Sequence, residues 1–335
     1  MKEQTSEEQE RQLLNRLFLD VHEYRTTKGF RDMMGFCARF PHLSPYNAAL
    51  IYAQKGSGYV LTSSRWKKYF HREIKDNARP MLILIPFGPV AMVYDIQDTY
   101  PEPGYENQNK QIIMEQIAYP YAVRGQSSNS IFARLLSNLD VYGIRMEGRG
   151  GEIFSSAGLR YAEEGTVHLD VYKSGYRFQY TTKARYQLTT NLSATLVEII
   201  AGVCHELGHY FCQHIKGESD GKEWWRQRML TETQREFEAE CVAYIVCNRF
   251  GIHLPSERYL NYISDEGKIP YISIELVMKA AGQVEKMMKE HIPYSDGYLY
   301  KYDKKVATEI DGMIKRLKAE HKARLGALWL QEVGK

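Results

Sequence analysis

Several features that would assign this chain to a specialised class of protein are absent from its sequence. Its five cysteines include no Cys-x-x-Cys pair, which argues against a disulfide framework and for a reducing compartment. No apolar run approaches the ~20 residues that a membrane-spanning helix needs. The 44 Lys and Arg nearly balance the 41 Asp and Glu, so overall charge predicts no particular partner. A hydrophobic content of 44% is that of an ordinary globular protein.

The N-terminal residues 1–12 are polar and highly charged, without the apolar core of a signal peptide. We therefore expect no signal peptide and no contact with a membrane, and we expect a cytoplasmic location. A length of 335 residues favours two domains over one. The chain has no internal repeat and no glycine-rich motif that would cradle a phosphate.

The most informative stretch is His205-Glu206-Leu207-Gly208-His209. Two histidines four residues apart lie on the same face of a helix, so both imidazoles can reach one metal ion. Zinc suits such a site because it accepts imidazole nitrogen in a roughly tetrahedral shell. Glu206 can take a proton from water and pass it to a leaving amine. This motif is short and occurs by chance, so its surroundings have to support it.

The sequence around the motif has the pattern of a helix. Asn191 or Ser193 is expected to cap the start of this helix. The apolar positions follow one another at intervals of three or four residues. These positions are Leu196, Ile199, Ile200, Val203, Leu207 and Phe211.

A catalytic zinc usually has three protein ligands and a water molecule, and the third ligand is expected downstream. Glu236 and Glu240 are four residues apart in a second helical pattern, so one can bind the metal and the other can hold a ligand histidine through its free ring N–H. Glu238 is a competing ligand. Cys212 also lies three residues after the second histidine, although a free cysteine is more often a small buried side chain. The alternative is that the carboxylates form a solvated acidic face.

These residues carry a family resemblance. The motif of residues 205–209, followed by Glu236-x-x-Ala239-Glu240-x-x-Ala243, resembles the ImmA/IrrE-type metallopeptidases and the related zincin domain of ArdC-like antirestriction proteins. The resemblance implies that Glu236 is the third zinc ligand, that Glu240 supports a ligand histidine, and that Glu238 ranks below Glu236. It also implies that the strand at residues 166–172 lies at a sheet edge above the site, where an extended peptide can add.

The first third of the chain has the pattern of a small α+β module. Residues 44–51 are predicted to form a capped helix, and residues 63–69 a second helix. Residues 81–86 and 90–95 are predicted to be two strands of a hairpin. Residues 101–109 are rich in Pro, Gly and Asn and are the best candidate for a linker.

Basic and aromatic residues alternate between positions 65 and 79. Basic side chains can follow a phosphate backbone while aromatic rings stack on bases, as in single-stranded DNA binding. The alternative is a solvated surface with Trp66 in the core. The order of these elements resembles the N-terminal domain of ArdC-like proteins, which is associated with single-stranded DNA, but residues 75–80 lack the glycines of the family's turn. The candidate contacts are Tyr46, Asn47, Arg65, Trp66, Lys67, Lys68 and Arg72.

Taken together, the sequence predicts an α+β fold. We expect an ArdC-like domain at residues 1–105 and a mostly helical zincin-like domain with a short edge sheet at 110–335. The resemblance implies a bacterial zinc metallopeptidase with one Zn²⁺ per chain, active constitutively or conditionally, in mobile-element or antirestriction biology. Its substrate is a protein or peptide of unknown identity. The alternative is a DNA-binding antirestriction or accessory protein whose zincin domain is structural or inactive.

Overall fold

The computed structural model describes residues 27–85, 90–118, 128–149, 157–161, 165–191, 194–219, 222–254, 262–263, 269–292 and 304–333. Within them the fold is α+β, as the sequence predicts, with strands in small sheets and a helical C-terminal region. The helices are α1 (Thr27–Arg39), α2 (Pro45–Ala53), α3 (Ser63–Phe70), α4 (Lys110–Ala118), α5 (Ser128–Leu139), α6 (Leu196–Phe211), α7 (Glu232–Arg249), α8 (Ile274–Lys289) and α9 (Lys304–Val333).

The strands are short and belong to separate sheets. They are β1 (Val60–Leu61), β2 (Arg72–Ile74), β3 (Met81–Ile83), β4 (Ala91–Asp95), β5 (Thr99–Pro101), β6 (Ile144–Arg149), β7 (Ala157–Tyr161), β8 (Thr166–Lys173), β9 (Tyr176–Lys183), β10 (Tyr186–Asn191), β11 (Gly217–Ser219) and β12 (Lys222–Trp225). Among the described residues, two sheets have three strands, in the orders β1-β4-β3 and β6-β10-β7, and the remaining strands pair as β2-β5, β8-β9 and β11-β12. None of the helices in the described part of the chain is both long and apolar enough to cross a membrane.

Contacts divide the chain into two compact units, each made of separate segments. The first unit comprises the described parts of Met1–Gln126, Ile200–His214 and Met229–Glu285. The second comprises the described parts of Ser127–Ile199, Ile215–Arg228 and Lys286–Lys335. These units do not coincide with the two domains expected from the sequence, and the domain boundary at 105–110 stays a prediction.

In the first unit, the antiparallel pairing of β3 with β4 confirms the predicted hairpin strands, while the turn at residues 86–89 lies outside the described residues. Trp66 is fully buried against Ile96, Ile113 and Ile117. Its indole N–H donates to the carbonyl of Tyr94 over 2.9 Å. This small core therefore includes α4, which follows the segment that the composition marks as a linker.

Residues 101–109 are held against the elements that precede them. The backbone N–H of Glu102 donates to the carbonyl of His71, and the side-chain amide of Gln108 donates to the carbonyl of Phe70. The rings of His71 and Tyr105 stack with their centroids 4.0 Å apart. Glu102, Tyr105 and Gln108 thus attach the segment to the elements before it, while most of its residues are exposed, and its role as a linker stays a prediction.

The outer edge of β3 is closed by two side-chain amides, from Asn47 of α2 and from Gln54, the C-cap residue of that helix. Asn47 donates to the carbonyl of Leu84 and accepts from its N–H, at 2.9 and 3.0 Å. Gln54 makes the equivalent pair with Leu82, at 2.9 and 2.8 Å. Asn47 and Gln54 are seven residues apart and lie on one helix face. Leu82 and Leu84 are two residues apart in an extended segment, so their backbone groups point the same way and both can meet that face. The helix thereby covers an edge that would otherwise be open to pairing with another chain.

In the second unit, β8 and β9 form a regular antiparallel hairpin, which confirms the predicted strand at residues 166–172. Val167, Val171 and Phe178 pack against Ile310 and Ile314 of α9. The predicted alternation places His168 on the opposite face, where it is exposed. The role of this strand in holding a peptide stays a prediction.

Candidate metal centre

The helix α6 carries the two motif histidines and begins with a capping box. Thr195 Oγ1 accepts from the N–H of Glu198, and the Glu198 carboxylate accepts from the N–H of Thr195 over 2.7 Å. Thr195 therefore caps this helix: the expected cap Asn191 belongs to β10, and the other expected cap, Ser193, lies outside the described residues. The Thr-x-x-Glu pattern was the signal in the sequence, because it satisfies two orphan N–H groups where a single cap satisfies one.

The helix α7 carries the carboxylates and is buried almost all round. A capping box between Thr231 and Gln234 fixes its start. From Phe237 to Cys247 its residues are buried, apart from the half-buried Tyr244. A helix that is buried on every side has its rotation fixed by packing, so each carboxylate on it has one defined direction.

The two helices approach each other closely at Gly208 of α6. A Cβ atom added to this glycine would lie 2.9 Å from Cα and 3.1 Å from the carbonyl oxygen of Ala239 on α7. Real Cβ atoms essentially never come within 3.0 Å of another heavy atom, so the contact with Ala239 Cα would force the backbone to shift. Glycine facing alanine thus allows a separation that larger residues would prevent.

This approach brings three candidate ligands together. Nε2 of His205 lies 3.1 Å from Nε2 of His209. The two carboxylate oxygens of Glu236 lie 3.3 Å from His205 Nε2 and 3.4 Å from His209 Nε2. The ligand atoms of the three residues therefore converge on one point. Glu236 is half-buried, so solvent can reach this point.

The spacing of these atoms fits a bound metal ion. Ligands at 2.0–2.2 Å from a tetrahedral zinc are about 3.3–3.6 Å apart, close to the separations of the three donors. Two imidazoles and a carboxylate are also a common donor set of catalytic zinc sites. The residues present can hold a divalent metal without a large rearrangement.

Glu240 lies behind His205, on the side away from the other donors. Its Oε1 atom is 3.2 Å from Nδ1 of His205. The pair does not meet the geometric requirements of a hydrogen bond, so Nδ1 is buried without a hydrogen-bond partner. Because the oxygen is already within hydrogen-bonding distance, a rotation of the carboxylate would satisfy Nδ1, which is the position expected for a residue that orients a ligand histidine.

The surroundings favour a protonated ring at His205 and a neutral ring at His209. Burial alone would lower the pKa of His205, but its interactions with Glu236 and Glu240 outweigh burial and raise the pKa to about 9. Burial and the neighbouring charge of His205 lower the pKa of His209 to about 3. The hydrogen bond from His205 lowers the pKa of Glu236. Near pH 7 the metal-free site thus holds its proton on His205.

Glu238, the competing third ligand, points away from the three donors. It is fully buried, and its carboxylate accepts from Nε2 of His214 over 2.8 Å. His214, Glu238 and Cys212 form a second group whose ligand atoms lie within 4.8 Å of one another. Cys212 is therefore grouped with these residues and not with the motif histidines.

Sequence reasoning did not identify His214. The residue lies beyond the end of α6, where no helical spacing relates it to His209. Gln213 adopts a left-handed conformation with φ 63°, and this turn directs the chain back so that the two rings meet. A contact that depends on one unusual backbone angle leaves no periodic signal in the sequence.

The expected nucleic-acid contacts are divided between the interior and the surface. Trp66 and Arg72 are buried, and the guanidinium of Arg72 donates to the side chain and carbonyl of Thr99. Tyr46 is also buried, and the side-chain amide of Asn47 is used by β3. The expectation that Trp66, Arg72, Tyr46 and Asn47 contact nucleic acid stays a prediction, although Trp66, Arg72 and Tyr46 are buried and the amide of Asn47 is already paired.

Three of the expected contacts lie on the exposed face of α3. Arg65, Lys67 and Lys68 are exposed. Lys67 is engaged by two carboxylates, at 3.3 Å from Glu73 and 3.5 Å from Glu102. The basic surface that the structure presents is therefore smaller than the basic stretch in the sequence.

Comparison of the chain with protein-family models, with curated proteins and with solved structures finds no match. The resemblance to ArdC-like and ImmA/IrrE-type proteins therefore stays a hypothesis that rests on the motifs.

We expect Gly208→Ala to weaken metal binding and to destabilise the protein. The added methyl group would separate α6 from α7 and draw Glu236 away from the histidines. Gly35→Ala is the matched control, because a Cβ atom at this helical glycine meets nothing within 4 Å. The control should be neutral or stabilising by about 0.5–1 kcal/mol, since alanine favours helix more than glycine does. Urea unfolding and metal affinity measure both variants, and equal behaviour would show that the close approach is unimportant.

In the metal-free protein, the ring of His205 should titrate near pH 9, and Glu236→Gln should lower this midpoint. A raised pKa means that His205 is charged at pH 7 and loses its proton as the pH rises through about 9. The stability that its pairing with Glu236 contributes is present below the ordinary pKa of 6.5 and is lost above about 9. Histidine NMR spectra recorded against pH measure the midpoint, and His205→Gln identifies the signal. An unchanged midpoint in Glu236→Gln would show that the other carboxylates, and not Glu236, raise the pKa of His205.

Proposed function

We propose that this protein is a zinc-dependent metallopeptidase. The observation that carries the proposal is the convergence of His205, His209 and Glu236, at separations of 3.1–3.4 Å, beside Glu206 on the same helix. His205, His209 and Glu236 would hold one Zn²⁺ per chain. When bound, zinc supplies the Lewis acidity that activates water and polarises a carbonyl group.

Glu206 is the proposed proton carrier. It follows His205 directly, is half-buried, and acts on His205 electrostatically by favouring its charged form. A carboxylate in this position can accept a proton from the attacking water and deliver it to the departing nitrogen. The leaving group then departs as a neutral amine and not as an amide anion. Glu240 would orient His205 through Nδ1 and takes no part in the proton transfer.

The arrangement of charge also favours a cation. Glu206, Glu236 and Glu240 lie near two histidines, of which only one is protonated near pH 7. Zinc would replace the proton on His205 and restore the neutral imidazole that metal binding requires. In the metal-free site, the positive charge of His205 offsets the neighbouring carboxylates. In the metal-bound site, zinc would supply that positive charge.

Two variants should distinguish the residue that binds zinc from the residue that carries the proton. The parent is expected to bind about one zinc per chain, Glu236→Ala should lose it, and Glu206→Gln should keep it. Glu206→Gln should lower hydrolysis of a pool of quenched fluorescent peptides by about 10²–10⁴-fold, since it removes the general base. Glu232→Gln, an exposed residue at the start of α7, is the control and should change neither quantity. Loss of zinc in Glu206→Gln would contradict the division of roles.

A second candidate function, single-stranded DNA binding by the first unit, is favoured by one surface. Tyr69 of α3 is 61% exposed, and Nζ of Lys68 lies 5.3 Å from the centroid of its ring. An exposed aromatic ring beside basic residues can stack on a base while the charges contact phosphates. This surface, and not Trp66, would be the contact, and the zincin-like region would then serve a structural or conditional role.

Arg65→Ala/Lys68→Ala should weaken binding of a labelled oligothymidine and flatten its salt dependence. Each lost phosphate contact reduces the slope of log K against log salt by about 0.7, so the double variant should lose about 1.4. Lys28→Ala/Arg31→Ala, which removes two exposed charges from α1, is the matched control. Fluorescence anisotropy at several salt concentrations measures the slopes. Equal slopes in the parent and in Arg65→Ala/Lys68→Ala would exclude this surface.

A further inference from the structure

A chain of buried hydrogen bonds runs from the rear of His209 into the interior of the first unit. Nδ1 of His209 lies 2.9 Å from Nδ1 of His214, and Nε2 of His214 lies 2.8 Å from Oε2 of Glu238. Oε1 of Glu238 accepts from the backbone N–H of Ser273 over 2.8 Å. His214 and Glu238 are 1% and 0% exposed, so water does not compete for these bonds.

With Glu238 ionised and His214 neutral, the direction of each bond follows from the groups that make it. The backbone N–H of Ser273 can only donate, and the ionised carboxylate of Glu238 can only accept. Nε2 of His214 must therefore carry a hydrogen. A neutral imidazole has one N–H, so Nδ1 of His214 is an acceptor and Nδ1 of His209 donates to it. This leaves a lone pair on Nε2 of His209, the atom that faces His205 and Glu236.

We propose that His214 and Glu238 are positioning residues, which hold His209 in the tautomer whose Nε2 atom can bind the metal. The inference rests on the proposed function, because it concerns the ligand role of His209. Histidine ligands commonly donate their second N–H to a carboxylate, a carbonyl or a water molecule. Here a second imidazole stands between the ligand and the carboxylate and extends the support to the backbone before α8.

The same polarity decides how the second group of metal-ligating residues behaves. A metal bound to Cys212, Glu238 and Nε2 of His214 would place the hydrogen of His214 on Nδ1. That hydrogen would face Nδ1 of His209, which would have to accept it and carry its own hydrogen on Nε2. His209 could then not bind a metal at the first site. This hydrogen-bond relay, from His209 through His214 and Glu238 to Ser273, therefore predicts one metal per chain, bound by His205, His209 and Glu236.

Glu238→Gln tests the proposal with almost no change in shape. The N–H of Ser273 continues to require an acceptor, so it holds the amide oxygen and directs the amide NH₂ toward His214 Nε2. His214 must then accept at Nε2 and donate from Nδ1, which reverses the chain and puts a hydrogen on Nε2 of His209. Zinc affinity, measured by competition with a chromophoric chelator, should fall about 10–100-fold.

A second readout needs no metal. The ¹⁵N shifts of the ring of His209 in the metal-free protein should show hydrogen on Nδ1 in the parent and on Nε2 in Glu238→Gln. A residue that only supported the fold would not exchange the two nitrogens. Glu238→Asp, which keeps an acceptor-only carboxylate, should keep the parental tautomer and recover part of the affinity. Should Glu238→Gln fail to fold, His214→Phe removes the acceptor of His209 and should lower zinc affinity likewise.

Cys212→Ala is the matched control within the same cluster. It leaves the relay intact, so it should bind one zinc with the affinity of the parent. Two zinc ions in the parent and one in Cys212→Ala would overturn the proposal. So would a Glu238→Gln protein with the parental zinc affinity and the parental His209 tautomer. A parent that binds no zinc would refute the proposed function alone, because the exchange of tautomer in the metal-free protein still decides the relay.

Discussion

The close approach of α6 to α7 at Gly208 and Ala239 is the constraint on which the candidate site depends. Two histidines on one helix can face a metal, but the carboxylates that complete and support the site come from the other helix. Their reach is fixed by the side-chain length of glutamate, so the helix axes have to be near each other. A glycine whose added Cβ would meet Ala239 Cα at 2.9 Å makes that separation possible.

Buried polar groups around this contact are paired in ways that also fix orientation. Glu238 is held by His214 and by the backbone of Ser273. At the end of α7, the guanidinium of Arg249 donates to Glu285 and to the carbonyls of Cys37 and Leu43. Each unpaired group of this kind would cost about 1–3 kcal/mol, and more if charged, so alternative packings of α7 are disfavoured. Rigid helices of this kind preorganise ligands before a metal arrives.

The N-terminal region shows how the same residue types serve packing or recognition according to burial. The basic and aromatic residues between positions 65 and 79 have the composition of a nucleic-acid surface. Trp66 and Arg72 nevertheless lie inside, where each is hydrogen bonded, while Lys68 and Tyr69 lie outside. A short helix such as α3 presents both faces within four residues, so composition alone does not separate core from surface.

The sequence by itself determined what local spacing controls. His205 and His209 share a helix face because they are four residues apart, the hairpin strands β3 and β4 follow from their apolar runs, and the helix α2 follows from Ser44 and Pro45. Only the tertiary structure decided which of Glu236, Glu238 and Glu240 meets the histidines, since that depends on the rotation of α7 against α6. It also brought His214 behind His209, through the left-handed turn at Gln213. Such contacts arise from packing between distant segments, which leaves no periodic pattern along the chain.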